Sequence, residues 1–412
     1  MTASTGKPTK SKKAKAPLTR EEIKKLVKVR AQEAEHLNPK KDPLDAITPK
    51  FIRACLAANE LGDGLLFAEL NRGHIVYVSS SAEWYIWHGH FWTRDLTGRV
   101  LASVEVVARL YLGEAFHITK EIGALVGGEK ESEIAQLSKL RIGCEKRAKK
   151  LRSTRGRTAC IEFARTCDYP LAISGEELDL KPMLFPCANG VINLTTGKIK
   201  PGKPTDFLSL ASPVEFKGID EPAPLWEKTI LEIFGGDEEM IAYLQRLFGY
   251  TITGLVHEKV FPVFYGKEGW NGRTLIVETI SYIMGRLAKS IPSEMLLSSK
   301  FIKSSSGPSP DIMSLKGLRM AFCSETDEGH KFSASNVKRL TGKNELVARN
   351  PNDKFQVWFQ QTHKLFLESN SQPKAPPNDS SFWERLHLIP FNISFVNRDP
   401  QDSHERQAIL DL

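Results

Sequence analysis

The chain has 412 residues, enough for roughly two to four domains that each bury a core. Hydrophobic residues make up 41% and charged residues 26%, which excludes collagen-like, mucin-like and wholly disordered chains. Lys and Arg (57) outnumber Asp and Glu (49), and the formal charge of +8 favours a polyanionic partner such as nucleic acid while saying nothing about fold.

The amino-terminal stretch, 1–45, is rich in Lys, Ala, Pro and Ser and has too few hydrophobics to offset its ordering entropy. It reads as a basic, disordered arm, with one helix from Arg20 to Glu35. Contact with nucleic acid phosphates and a plain solvated tail are both open readings. No apolar leader core or uninterrupted apolar run of about 18 residues occurs, so the chain reads as cytoplasmic with no membrane partner. Cys55, Cys144, Cys160, Cys167, Cys187 and Cys323 form no CxxC pair and no zinc spacing, and read as reduced, mostly buried thiols.

From Phe51 onward the pattern predicts a helix and then a strand at His74–Ser79. The alternation in Trp84–Trp92 around His88-Gly89 predicts a β-hairpin. Its tryptophans either stack on bases or pack across the hairpin. Helical periodicity continues over Val100–Phe116. A helical pair over Leu137–Arg165 carries Lys139, Arg141, Lys146, Arg147, Lys149, Lys150, Arg152, Arg155 and Arg157, either a phosphate-tracking run or a solvated face. Asn189-Gly190 and Thr196-Gly197 frame a small meander, and Leu225–Phe234 and Glu238–Thr253 read as helices.

The segment with the most chemistry begins at Lys259–Tyr265, a short apolar strand. It runs into Gly266-Lys-Glu-Gly-Trp-Asn-Gly-Arg-Thr274 and then into helical spacing over Leu275–Met284. Strand, glycine loop and helix together read either as a phosphate cradle, in which Gly266, Gly269 and Gly272 let the amides curl inward and the helix dipole adds to their field, or as a plain glycine-rich strand-to-helix turn. Thr274 offers a hydroxyl to Mg²⁺, and Asn271 is placed to orient water or the γ-phosphate. Two features depart from the usual GxxxxGK[ST]: the glycine spacing is one residue longer, and Arg273 stands where Lys is usual.

Companion motifs come next in the chain. Gly317–Glu328 is an apolar strand ending in carboxylates, with Glu325 as candidate base and metal partner. Ser335–Gly342 is a basic helix. Glu345–Arg349 and Phe355–Phe359 form two strands whose basic tip could follow a nucleic acid strand, with Lys338, Arg339, Lys343, Arg349 and Lys354 as DNA contacts. His363–Asn370 is another strand, ending in an amide that could sense the γ-phosphate. Arg385 in Phe382–Leu386 is a candidate arginine finger acting in trans, and a last strand is read at Leu388–Phe395.

The ordered set Gly266…Thr274, Ser324-Glu325-Thr326, Lys338–Gly342, Glu368–Asn370 and Trp383–Arg385 resembles the superfamily 3 helicase domain of phage and plasmid primase-helicases. Asn189–Gly197 and Gly249–Gly254 resemble the domain that precedes that helicase. The resemblance implies an α/β P-loop NTPase (AAA+-like) domain with a central parallel sheet over 237–412. Before it come a mixed α+β domain over 46–236 and the basic disordered arm over 1–45. It also implies ATP and Mg²⁺ as cofactors, single-stranded or forked DNA as partner, a homo-oligomeric ring, usually hexameric, and a separate primase or initiator protein. On the matched positions, Gly266, Gly269, Asn271, Gly272, Arg273 and Thr274 bind nucleotide. Thr274 and Glu325 serve the metal, and Glu325, Asn370 and Arg385 serve catalysis. A primase module is not expected in this chain, and the chain stops at Leu412 soon after the last core strand.

Two functions of different class are compatible with these residues. One is an ATP-dependent DNA helicase of a phage, plasmid or integrated element. The other is a non-hydrolysing, nucleotide- and DNA-binding initiation or loading module, which is what Arg273 in the lysine position favours.

Overall fold

A computed structural model describes residues 47–126, 130–297, 307–324, 332–351, 356–372 and 377–395. The arm over 1–45 and its helix lie outside the described residues.

Thr48 opens the first helix, α1 (Pro49–Ala57), its hydroxyl accepting from the Phe51 amide at 3.2 Å, with Pro49 at a position that needs no amide donor. Helix α2 (Asn59–Asn71) follows at once. Strands β1 (Ile75–Val78), β2 (Glu83–Trp87) and β3 (Trp92–Arg94) form an antiparallel set with the expected hairpin at His88-Gly89. Trp92 is 1% exposed, lies 5.3 Å from the Trp87 ring, and its Nε1 donates to the Pro204 carbonyl at 2.8 Å. That burial settles the choice for Trp92 in favour of packing, since a base cannot reach a covered ring.

Helix α3 (Arg99–Leu125) continues well past Phe116 and packs against α4 (Glu131–Leu151). Ser153 then caps α5 (Thr154–Ala164), accepting from the Gly156 amide at 3.1 Å. The basic run on α4 and α5 is partly paired, mostly by carboxylates distant in sequence. Arg147 pairs with Asp63 (3.4 Å), Lys150 with Glu60 (2.6 Å), and Arg152 and Arg157 with Glu105 (2.7 and 3.8 Å). Arg141 pairs within α4, with Glu145 at 2.7 Å. Lys139, Lys146, Lys149 and Arg155 stay exposed with no ion-pair partner among the described residues. The short strand β4 (Ala172–Ile173) joins β1 in parallel and completes the first sheet, in the order β3-β2-β1-β4.

The expected meander is β5 (Leu184–Cys187), β6 (Gly190–Asn193) and β7 (Lys198–Lys200), with turns at both predicted glycines. Helices α6 (Pro224–Ile233) and α7 (Glu238–Ile252) follow, the latter capped by Asp237 through the Met240 amide at 2.9 Å.

The remainder builds a five-stranded, all-parallel sheet. Strand β8 (Phe261–Tyr265) leads to α8 (Arg273–Met284) and β9 (Ala288–Ser290). Next come α9 (Pro310–Met313), β10 (Met320–Ser324), α10 (Ala334–Leu340) and the two-stranded ribbon β11 (Leu346–Ala348) with β12 (Val357–Phe359). Strand β13 (Lys364–Ser369), α11 (Ser380–Trp383) and β14 (Leu386–Pro390) close the series, the last ending short of the Phe395 expected from sequence. The spatial order is β14-β8-β13-β10-β9.

Both faces of this sheet are covered, as a parallel sheet requires. Phe261, Val263, Leu365 and Leu367 point to one core, with α9, α10 and α11. Phe264, Phe366 and Met320 point to the other, with α7, α8 and the meander, following the two-residue period of strands. Each fully buried Phe or Leu here contributes on the order of 2 kcal/mol. Arg319, 2% exposed, ties the meander region to the sheet by donating to the carbonyls of Lys181 (3.3 Å), Pro182 (3.2 Å) and Leu184 (3.2 Å). Among the described residues no helix is long and apolar enough to cross a membrane.

Candidate functional site

The chain leaves β8 toward β9 at one edge of the sheet and leaves β13 toward β14 at the other, although β8 and β13 are neighbours. Such a reversal opens a crevice at the carboxyl ends of the two strands, where ligands of open α/β sheets bind. The glycine loop, 266–272, lies there. It borders a cavity of about 630 Å³ lined by the loop, the start of α8, Ile233 and Glu232 of α6, Asn370 and Phe395.

Loop shape follows from its residues. A Cβ at Gly266 would collide with the Asn271 amide, so only glycine fits. Gly272 has φ +83° and caps α8, and a Cβ there would meet Ile233. Around Gly269 there is open space. Asn271 is 4% exposed; its Nδ2 donates to the Glu268 carbonyl at 2.7 Å, and its Oδ1 accepts from Arg273 Nε at 3.1 Å. Its amide is therefore engaged in the loop's own hydrogen bonds. Trp270 holds φ +58°, a conformation costing a bulky L-residue about 1–3 kcal/mol, and it is 75% exposed on the cavity rim. The Phe395 amide (2.9 Å, to Trp270) and the Ser394 hydroxyl (2.9 Å, to Gly269) hold the loop carbonyls from outside.

Helix α8 begins at Arg273, two residues before the helical spacing read from Leu275 onward. The Arg273 guanidinium donates to the Ser369 carbonyl and to Asn370 Oδ1, fastening the loop to the end of β13. Burial lowers its pKa and the Glu368 charge opposes that. The Thr274 hydroxyl donates to Glu368 Oε2 at 3.3 Å, and the Ser324 hydroxyl donates to Glu368 Oε1 at 3.3 Å. Register explains the second contact, since Ser324 is paired with Glu368 across β10 and β13. Burial raises the Glu368 pKa, against the pull of both hydroxyls and Arg273.

The structure thus brings Gly266, Asn271, Gly272, Arg273, Thr274 and Asn370 together. Glu325 and Lys354 lie outside the described residues. Arg385 sits at the opposite, amino-terminal end of the sheet, just before β14; it donates to the Ser381 carbonyl and does not join the loop within one chain. Lys338 is held by Asp379 at 2.8 Å, whereas Arg339 and Lys343 are exposed and Arg349 is half-buried. Sequence reasoning passed over Glu368 and Trp270 as site residues. The visible signals were an apolar strand ending in a carboxylate and an aromatic inside a glycine loop.

Chemically the loop offers the N-terminus of α8, and beside it stand the oxygens of the Thr274 and Ser324 hydroxyls and of the Glu368 carboxylate. Those oxygens are hard donors suited to Mg²⁺, which keeps much of its own water, whereas the helix N-terminus suits an anion. Among the described residues no group of three or more His, Cys, Asp or Glu stands ready for a tighter metal site.

Residues 64–235 match the family described as D5 N terminal like. The chain is 29% identical over 221 residues to "Putative helicase L207/L206" of Acanthamoeba polyphaga mimivirus, covering 53% of this chain and 23% of that protein. It is 23% identical over 250 residues to "Putative helicase 121R" of Invertebrate iridescent virus 3, covering 57% and 26%. The chain therefore spans about a quarter of the length of these relatives. A solved structure described as "The A form apo structure of NrS-1 C terminal region-CTR" superposes with a TM-score of 0.34 at 18% identity, over 48% of this chain and 44% of that one. The likeness to the domain that precedes the helicase is borne out by the match over 64–235 and by the viral relatives named "Putative helicase".

Proposed function

We propose that this chain, whose residues 64–235 match the D5 N terminal like family, is an ATP-dependent DNA helicase acting in replication of a viral, phage or other mobile genome. In this reading residues 237–412 are a P-loop NTPase of the superfamily 3 type, preceded by a mixed domain over 46–236. The protein works in the cytoplasm as a ring, usually of six copies, on single-stranded or forked DNA, with a separate primase or initiator. What carries the reading is the convergence of Thr274 and Ser324 on Glu368 beside a cavity of about 630 Å³ at the carboxyl ends of neighbouring strands.

The amides of Gly269 and Gly272 would donate to phosphate oxygens, with Asn271 keeping the loop in that curl; the Gly266 amide, expected from sequence to join them, is instead given to the Ser369 carbonyl at 3.2 Å and serves the loop's shape. ATP and Mg²⁺ fit the donors present: the Thr274 hydroxyl, with Ser324 and Glu368 behind it and Glu325 after β10, would hold the ion, which offsets charge on the phosphate oxygens. Glu325 would take the proton of the attacking water. Asn370 would report on the γ-phosphate, and Arg385 would reach the site of a neighbouring copy. Lys338, Arg339, Lys343, Arg349 and Lys354 would follow the DNA backbone.

One observation favours the second reading, a non-hydrolysing nucleotide- and DNA-binding loading module. Arg273 is tied to Ser369 and Asn370, so its charge is turned toward β13. ATP hydrolysis with and without single-stranded DNA separates the two. The helicase reading expects DNA-stimulated turnover. A chain that binds ATP, shows no such turnover, and gains it on Arg273→Lys is instead the loading module.

A further inference from the structure

A second cavity, of about 380 Å³, lies between the β1–β4 sheet and the edge strand β9 of the parallel sheet. It shares no lining residue with the glycine-loop cavity, and its chemistry is independent of what the glycine loop binds. Four cations line it, Arg94, Arg286, Lys289 and Lys316, against a single carboxylate, Asp179.

The hydrogen bonds show where the charge is left over. Asp179 is occupied by Ser209, accepting from its amide at 2.8 Å and its hydroxyl at 2.5 Å. Lys316 donates to the Gly175 carbonyl at 2.8 Å, and Arg94 lies 2.8 Å from Glu83. Arg286 and Lys289 are exposed and have no ion-pair or hydrogen-bond partner among the described residues. The buried hydroxyl of Ser81, also in the lining, has no partner among them either. Arg319, 2% exposed and with Nε unpartnered, feels the same Asp179 and adds a further positive charge. Cations gathered around a partly enclosed space repel one another and focus a positive potential into it, and an anion relieves both effects. Guanidinium groups beside ammonium groups suit phosphate oxygens, and the volume is that of a small-ligand site.

The geometry points to this cleft as a second anion site, taking a phosphate-bearing group from either a free nucleotide or a nucleic acid strand. It would bridge the D5-like region to the sheet, so its occupant would report on the fit between them.

Hydrogen exchange of the full chain tests this, with inorganic pyrophosphate as one probe and an eight-residue oligothymidylate as the other. Saturable slowing in segments 78–85 and 286–290 is expected with at least one probe. Pyrophosphate alone being effective assigns free phosphates as the source, and the oligonucleotide alone being effective assigns a strand. The Arg286→Ser, Lys289→Ser double variant, which alters exposed side chains only, should weaken that binding by about tenfold or more while leaving any effect at 266–275 unchanged. Lys289→Glu is the single-site check. No slowing at either segment with both probes, or unchanged binding in the variants, overturns the proposal.

Discussion

The hydroxyl of Thr274 donates to the carboxylate of Glu368 at 3.3 Å, joining the first turn of α8 to the end of β13 across 94 residues of sequence. Ser324 donates to the other oxygen of the same carboxylate, so three strand or helix ends meet on one acid. Burial holds the Glu368 pKa above the usual carboxylate range, and the contacts from Ser324, Thr274 and Arg273 only partly offset it. An ionised group at such a point costs stability.

Glu368→Gln keeps the shape and removes the charge. The unfolding midpoint at neutral pH should hold or rise, because the penalised ionised form is gone. The Mg²⁺ concentration needed for ATP binding should rise about tenfold, as when a group supporting a metal ligand is lost. Titrating ATP at several Mg²⁺ concentrations checks this; an unchanged Mg²⁺ dependence would remove Glu368 from the site.

Arg319→Leu should be costly. The guanidinium is the donor for the carbonyls of Lys181, Pro182 and Leu184, and its loss strands them in a buried junction. A loss of about 3 kcal/mol is expected in chemical denaturation. A variant as stable as the parent would mean that the junction relaxes around the vacancy.

Asp63 is a pH-sensitive point in the helical region. Burial raises its pKa to about 6, with Arg147 and Tyr111 opposing, and Tyr111 donates to it at 3.0 Å. A carboxyl raised in the folded state is favoured when protonated. Its contribution is therefore greatest below the ordinary value near 4 and is lost as pH rises through about 6. The parent chain should lose on the order of 2 kcal/mol from this group between those limits. Asp63→Asn should flatten that part of the stability profile, measured by urea denaturation across the range; an equally steep profile in the variant would contradict the assignment.

Salt dependence should sort the proposed DNA contacts. Lys343 is exposed, so Lys343→Ala should lower the slope of log affinity against log salt by about one unit. Lys338 is held at 2.8 Å by Asp379, so Lys338→Ala should change the slope less. Equal effects would show that the Lys338–Asp379 pair opens on DNA.

The parts of this fold that sequence exposed were those set by local chemistry. Gly266, Gly272 and the helical spacing after Thr274 announced a strand-loop-helix, and Asn189-Gly190 announced a hairpin, because turn glycines and periodicity act over a few residues. Glu368 escaped because its role comes from register: only the pairing of β10 with β13 sets it beside Ser324. The basic run over Lys139–Arg157 could be read as a phosphate track or a solvated face, because counting charges cannot see Glu60, Asp63 and Glu105, which reach it from other helices. Arg385 was legible as a residue, but its position at the far end of the sheet from the glycine loop follows from the parallel direction of β14.

Whether the glycine loop holds a triphosphate is tested most directly by binding of ATP with Mg²⁺ to a matched pair of glycine variants. Gly266→Ala would drive a methyl group into the Asn271 amide, whereas Gly269→Ala meets open space. If the loop wraps the triphosphate, calorimetry should show Gly266→Ala weakening ATP by about tenfold or more, with Gly269→Ala close to the parent. Binding that is equally strong in the parent and in Gly266→Ala, or absent from the parent chain altogether, would contradict it.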